Sequence, residues 1–503
     1  MILPLILIIL LAGAILAPIS TRFHKKLPFV MALLSLGAVL LILLSKWNFS
    51  YFPELFNNTE KWMLEYTTDW IPSIGASFHL AIDGLSYVML LLTVVMGIVS
   101  VLVSWNIEKA GFYFFNTLLM LAGVAGIFMA MDLLLFFFCW EMMLVPLYFL
   151  IVAYSEEETD KTAFKFLVYT QASGLLMLLS ILGLYFIRAS QTALYSFDYA
   201  HLLTDTLSIK TASLLMFGFV AAFFVKLPVI PVHGWMPSTF KAAPVAAILT
   251  GLLIKTGAYG IIRFAIPLFP DASMLFAPAA MILGLITIFY GAFIAFSQTD
   301  LRLIAAYSSI SHMGFIIIGL YSLNQMAWQG VVIQMIASGV STSALIIMSV
   351  WLKRATGTCD ITKLGRVWES APNSSGLGLF FAMAALGLPG LANFIAEFLI
   401  LAGTFKVSIL FSILASLGVI AAAAYSLRII QKVFVGDKNY TEPVVEISWL
   451  ERTTLGILMA LLVWIGFNPK PIMQRSQPAI EKVLSVPPAD LIPAQNNEDE
   501  ASV

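Results

Sequence analysis

A chain of 503 residues that is 60% hydrophobic and only 11% charged is not an ordinary soluble domain, where about a quarter of residues carry charge. Its net charge of −1 gives no electrostatic basis for binding nucleic acid. Two distant cysteines, Cys139 and Cys359, make neither a disulfide framework nor a cysteine metal site, and no dinucleotide fingerprint or phosphate loop is present. What remains is an all-α polytopic membrane protein with nearly all its mass in the bilayer.

Apolar runs long enough to span occur at 2–18, 28–46, 78–104, 112–130, 132–153, 164–187, 210–228, 242–264, 274–297, 302–321, 327–352, 376–403, 405–434 and 450–467. They predict about fourteen helices. The first, MILPLILIILLAGAILAPIS, has its basic residues after it and none before, which fits a membrane helix and not a signal peptide.

Placing the N-terminus outside puts most basic residues on the inside. Arg22, Lys25, Lys26, Lys109, Lys161, Lys165, Lys241, Arg302, Lys353, Arg354, Lys363, Arg366, Lys432 and Lys438 then face in. Outside are Lys46, Lys61, Arg188, Lys210, Arg263, Lys406 and those of the tail, with an acidic, aromatic segment at 47–77 that holds Glu54, Glu60, Glu65 and Asp69. The bias predicts both termini outside. From about Asn468 the chain turns Pro-rich, then polar, and ends NNEDEASV. This tail is too short and polar for another span and is expected to be disordered.

The stretch from Phe217 to Phe264 organises the rest. Two apolar runs each carry a lysine, Lys226 and Lys255, and between them lie Pro228, Pro231, His233, Gly234, Trp235 and Pro237. A charge at mid-bilayer costs about 2.5–3.5 kcal/mol on insertion scales. Prolines beside it break the helix and free backbone groups that need a cavity or a partner. Five helices later LGLPGLANFIAEF repeats the interruption, with Pro389 and Gly390 before Glu397. A five-helix shift reverses orientation, so the pattern predicts two inverted five-helix units with broken helices 7 and 12 around a transport path. The plainer reading is that Pro and Gly are common in membrane helices.

Glu141 lies mid-helix in LLLFFFCWEMMLVPLYFL. Lys226 is the candidate partner. A buried Glu–Lys pair stabilises little, because desolvation rivals attraction. It works better as a switch whose opening drives off a proton. The alternative is a static ion pair. Lys255 has no acid in its own helix and sits too centrally to snorkel, so it is a proton-carrier candidate. Glu397, with Asn393 one turn back, could take up and release a proton, or serve only to satisfy freed backbone amides. His233 and His312, the latter beside Ser308, Ser309 and Ser311, could relay protons or simply be satisfied core groups. Asp83 and Asp132 lie near helix ends and are expected to cap them or fix loops.

HLAIDGLS, FFFCWEMMLVPLYFLI, YTQASGLLMLL, KLPVIPVHGWMP, LLIKTGAYGIIRF, SSISHMGF and LPGLANFIAEF occur in the order found in the M-type antiporter-like subunits of bacterial respiratory complex I. The chain resembles that family, equivalent to subunit 4 of the mitochondrial and chloroplast enzymes, over nearly its whole length. The resemblance implies helices 1–3 over 1–110, a first inverted repeat over 111–264, a second over 265–438, helix 14 over 439–467 and the tail 468–503. It implies proton-transfer roles for Glu141, Lys226, Lys255, Glu397 and His312. It also implies NADH, FMN, iron–sulfur clusters and quinone in partner subunits, with no cofactor in this chain. Partners would be lipid and other membrane subunits, further antiporter-like ones included, in a bacterial inner membrane with both termini periplasmic.

Two departures stand out. Where the family usually reads IAHG, this chain has Ile336, Ala337, Ser338 and Gly339. Serine can hold a water but cannot be a charged station, so Ser338 joins His233 as a polar candidate on the path. The segment Pro237–Pro244 reads PSTFKAAP where the family has PDAH followed by an acidic or amide residue and AP. That change motivates a second reading, a subunit of a cation/proton antiporter or inorganic-carbon uptake complex without redox chemistry. Ser338 motivates a third, a non-pumping structural subunit.

Overall fold

The computed structural model describes residues 1–47, 62–156, 159–203, 207–437 and 444–485. Glu54, Glu60, Lys61 and Lys438, used above for loop charge, lie outside the described residues. The chain runs α1 (Ile2–Ser20), α2 (Leu27–Ser45), β1 (Leu64–Tyr66), β2 (Asp69–Ile71), β3 (Ala76–Ser77), β4 (Leu80–Ile82), α3 (Gly84–Val103), α4 (Ala110–Met129), α5 (Leu133–Tyr154) and α6 (Thr159–Thr192). It continues α7 (Tyr199–Leu202), α8 (Ile209–Lys226), α9 (Trp235–Ala242), α10 (Pro244–Leu253), α11 (Lys255–Gly260), α12 (Ile266–Leu268), α13 (Pro270–Ser297), α14 (Leu301–Tyr321) and α15 (Gln325–Thr356). The remainder is α16 (Val367–Ser370), α17 (Pro372–Leu386), α18 (Ala392–Phe405), α19 (Ile409–Ile429), α20 (Trp449–Phe467) and α21 (Lys470–Leu484).

Among the described residues, 13 helices are long and apolar enough to cross a membrane. The remaining expected span, 376–403, is delivered in two pieces, α17 and α18. The protein is a multi-pass membrane protein with the expected helical fold. α15 is its axis. It packs against α3, α10, α14, α17, α18, α20 and α21, and its side chains from Gly330 to Ser349 are all buried. A helix enclosed by protein, unlike one facing lipid, can carry polar residues.

Helix starts follow from local chemistry. Asp83, Asp132, Asp300 and Asn324 accept hydrogen bonds from first-turn amides of α3, α5, α14 and α15, and proline opens α10, α13 and α17. The expectation that Asp83 and Asp132 cap helices is met.

The internal repeat is visible as matched irregularities. Helix 7 breaks between α8 and α9, and helix 12 between α17 and α18. Helix 8 passes through a π-helical segment, Ile261–Ala265, and helix 13 through another, Ile430–Val435. The cap of α5 is bridged in strand fashion by Asp198, and the cap of α14 by Asp360. The first bridge lies on the face that carries the β-strands and the second on the opposite face, as inversion demands. Each break satisfies its own backbone. The Trp235 indole donates to Val225 O (2.7 Å), and Thr287 Oγ1 of α13 accepts from Ile230 N (3.2 Å). At the second break Gly387 and Gly390 take φ of 80° and 94°, the left-handed region that glycine adopts without strain.

One expectation is corrected. Residues 470–484, assigned to a disordered tail, form α21. Ile472, Ser476, Ala479, Ile480 and Val483 fall on one buried face, which packs on α3 and α15. An amphipathic stripe at helical spacing was hidden by low mean hydropathy. The rest of the tail lies outside the described residues.

Candidate functional site: a buried polar line

Lys226 is the last residue of α8, wholly buried where the helix stops. Its ammonium makes no hydrogen bond and stands 5.5 Å from the ring centre of Trp140 and 5.7 Å from that of Phe166. Glu141, half-buried on α5, is hydrogen-bonded by Gln171 of α6 and feels the charge of Lys226 without touching it. The expected pair is therefore present as neighbours in an open arrangement. The carboxylate is held close by Gly174, where a Cβ would lie 2.6 Å from Glu141 Oε1.

Lys255 opens α11 and is fully buried. Its Nζ donates to Ser338 Oγ at 2.7 Å and lies 3.9 Å from Met313 Sδ. Ser338 Oγ in turn donates to the Gln334 carbonyl at 2.5 Å. One turn earlier on α15 lies the Gln334 side chain, whose Nε2 is 3.1 Å from His312 Nδ1. His312 Nδ1 is also 3.1 Å from Glu397 Oε1 of α18. Glu397 is buried, and its Oε2 lies against the second break, 2.9 Å from where a Gly387 Cβ would be. Asn393 Nδ2 donates to Ser341 Oγ (3.3 Å), and Tyr425 of α19 is close enough to interact electrostatically with Glu397.

The structure thus brings four of the seven predicted residues to one residue, Gln334, whose backbone carbonyl takes Ser338 and so Lys255, and whose side chain faces His312 and so Glu397, and it sets Glu141 beside Lys226. His233 stands apart. It is half-buried beyond the first break, with ring centres of Tyr290 and Tyr307 at 5.1 and 6.4 Å. Gln334, Gln171, Trp140 and Tyr425 were not anticipated. Gln334 carried a legible signal, a polar side chain four residues before Ser338 and so on the same helix face. Trp140 and Tyr425 were indistinguishable from packing aromatics.

Several polar atoms here are buried without a protein partner: Lys226 Nζ, Glu141 Oε1, Trp140 Nε1, His312 Nε2, Gln334 Oε1, Asn393 Oδ1 and Glu397 Oε1. The last lies 3.1 Å from His312 Nδ1 but without hydrogen-bond alignment. Unpartnered groups at such density along one line are what water or moving protons would satisfy.

Residues 130–422 match a sequence family described as NADH:quinone oxidoreductase/Mrp antiporter, TM. NADH-quinone oxidoreductase subunit M of Pseudomonas aeruginosa is 46% identical over 96% of this chain and 97% of its own length. The subunit of that name from Escherichia coli K12 is 43% identical over the same shares. The chain belongs to the subunit M family. A chain of respiratory complex I from Thermus thermophilus superposes with a TM-score of 0.86 at 28% identity, covering 96% of this chain and 99% of that one. The Mrp complex from Dietzia sp. contains a chain with a TM-score of 0.81 at 21% identity, covering 95% of this chain and 52% of that one, which shows the shared fold alone.

Proposed function

We propose that this family member translocates protons as a membrane subunit of a complex I type NADH:quinone oxidoreductase, driven by quinone reduction in partner subunits. The observation that carries this is the pair of short contacts that meet at Gln334: Lys255 to Ser338 to the Gln334 backbone carbonyl on one side, and the Gln334 side-chain amide to His312 to Glu397 on the other. Glu141 and Lys226 stand at its other end. Lipid-depth ammonium and carboxylate groups are costly unless they work. Opening the Glu141–Lys226 pair would send a proton from Lys226 to Lys255, and uptake from the cytoplasm with release near Glu397 would complete the cycle. The proton-transfer residues are Glu141, Lys226, Lys255, Ser338, His312 and Glu397, with His233 and its tyrosines on the uptake side.

The two inverted repeats are taken as 111–264 and 265–438. Basic residues collected on the face opposite the β-strands support a cytoplasmic position for that face and periplasmic termini in a bacterial inner membrane. NADH, FMN, iron–sulfur clusters and quinone belong to partner subunits, and other antiporter-like subunits flank this one. The relatives' names favour this reading over a redox-free antiporter. Ser338 speaks against a purely structural subunit, because it takes the Lys255 hydrogen bond at the position where the family usually has histidine.

The test is proton transfer in proteoliposomes that hold the intact complex. Lys226→Ala should leave the complex assembled and lower protons moved per NADH oxidised. An unchanged ratio would leave a structural role only.

A further inference from the structure

His312 Nδ1 faces two groups at the same distance, Gln334 Nε2 and Glu397 Oε1, each 3.1 Å away. One ring nitrogen cannot serve both in one way. To accept from the Gln334 amide it must be bare. To donate to a Glu397 carboxylate it must carry a proton. With Gln334 Nε2 towards it, the contact is a hydrogen bond only if Nδ1 is bare, which would leave the imidazole proton on Nε2. A carboxylate 3.1 Å from such a lone pair would be repelled, whereas a carboxylic acid would not. The partnerless atoms complete the picture: Gln334 Oε1 and His312 Nε2 are both buried without a protein hydrogen bond.

We infer that Gln334 is a positioning residue that selects the tautomer of His312, an amide that turns end for end with each proton passed. This rests on the proton path proposed above. Before transfer, the turned amide offers Oε1 to Nδ1–H, and Nε2 is bare. A proton arrives at Nε2, and the Nδ1 proton leaves to Glu397. The ring is neutral at the start and at the end, and its proton has moved from Nδ1 to Nε2. The amide then turns back and its N–H holds Nδ1 bare, the arrangement seen here. A return of the proton to the ring is thereby opposed, which gives the step a direction. Gln334 suits this task because a primary amide offers a donor and an acceptor at nearly the same reach and carries no charge of its own. Its backbone is fixed in the enclosed helix α15, and Ser338 binds its carbonyl, so only the side chain is free to respond. The ionisable groups around His312 are Glu397 of α18, Tyr425 of α19 beside it, and Lys255, whose ammonium reaches Met313 and Ser338 on the flanking turns.

The experiment uses the intact complex in proteoliposomes, with NADH-driven proton uptake followed from pH 5.5 to 9, and ¹⁵N-histidine spectra of the same preparations. Gln334→Leu should lower pumping by about 100-fold, the lower end of what a positioned acid–base group contributes. It should also leave His312 in a single tautomer where the native complex shows two. Gln334→Glu, equal in length and present in case the leucine variant fails to assemble, should keep the complex intact and move the pumping optimum to higher pH. Native rate and pH profile in an assembled Gln334→Leu variant, or an unmoved profile in Gln334→Glu, would overturn the inference. His312→Leu separates it from the path itself. If His312→Leu stops pumping while both Gln334 variants pump as the native complex does, only the tautomer selection is wrong. If His312→Leu pumps normally, the path fails.

Discussion

Ser338 Oγ accepts a hydrogen bond from Lys255 Nζ at 2.7 Å and donates one to the Gln334 backbone carbonyl. A hydrogen bond to a charged group is worth about 1.5–3 kcal/mol. Ser338→Ala should therefore slow coupled proton transfer by about tenfold or more, since each 1.4 kcal/mol is a factor of ten, with little change in the amount of assembled complex. A pumping rate equal to the native one would show that Lys255 finds its partner elsewhere. Gly387 makes a second point. Its φ of 80° excludes most side chains, and a Cβ there would meet Glu397 Oε2 at 2.9 Å. Gly387→Ala should displace the carboxylate from His312 and depress pumping more than Gly376→Ala, at a glycine where a Cβ meets nothing within 4 Å. The charged stations were legible in the sequence because each is an isolated ionisable group in an apolar run. Of the neutral links, Ser338 was named and Gln334 left a signal on the same helix face, but their partners were not legible. Gln334 and Ser338 are joined to His312 and Lys255 only when three helices, α11, α14 and α15, pack, and sequence spacing within one helix does not show which neighbour a side chain meets.

At the scale of elements, the breaks at helices 7 and 12 were announced by proline and glycine beside charge, whereas the π-helical segments had no such marker. The strand-bearing face rests on one histidine. His79 lies between Asp198 Oδ2 (2.5 Å) and Glu65 Oε1 (2.8 Å), which ties β4 to the segment before α7 and to β1. Burial disfavours its charged form, but the hydrogen bonds and charges of Asp198 and Glu65 outweigh this and hold its pKa above the ordinary 6.5. A raised folded value means that the contribution is fully present below about pH 6.5 and is lost as pH climbs through the folded pKa. The melting temperature of the native complex should therefore exceed that of His79→Gln most at pH 6 and least at pH 9. A gap that widens with pH would contradict the charged triad. α21 was missed for a physical reason. It is a helix apolar on one side only, and it docks where Gly84 offers no side chain: a Cβ at Gly84 would lie 1.7 Å from the Arg475 carbonyl oxygen. Gly84→Ala should lift α21 from α3, seen as faster amide exchange across 470–484, while the spans keep their protection.

Across the whole molecule, α15 is the element on which both units converge. It carries Gln334 and Ser338 at the middle of its buried length, receives Lys255 from the first unit, and faces His312 and Glu397 of the second. On the proposed division α15 belongs to the second unit, and its hydrogen bond with Lys255 of the first would join two half-paths into one. The sequence displayed the units through their interruptions, and it displayed the class through composition. The join could not be seen, because it depends on the relative placement of helices far apart in the chain. The claim that protons cross this join is tested most directly at Lys255, the residue that links the units. In proteoliposomes containing the assembled complex, the number of protons translocated per NADH oxidised should fall in Lys255→Met relative to the native complex, while electron transfer to quinone measured in the presence of an uncoupler persists. An unchanged ratio in that variant would contradict a proton path through the axis.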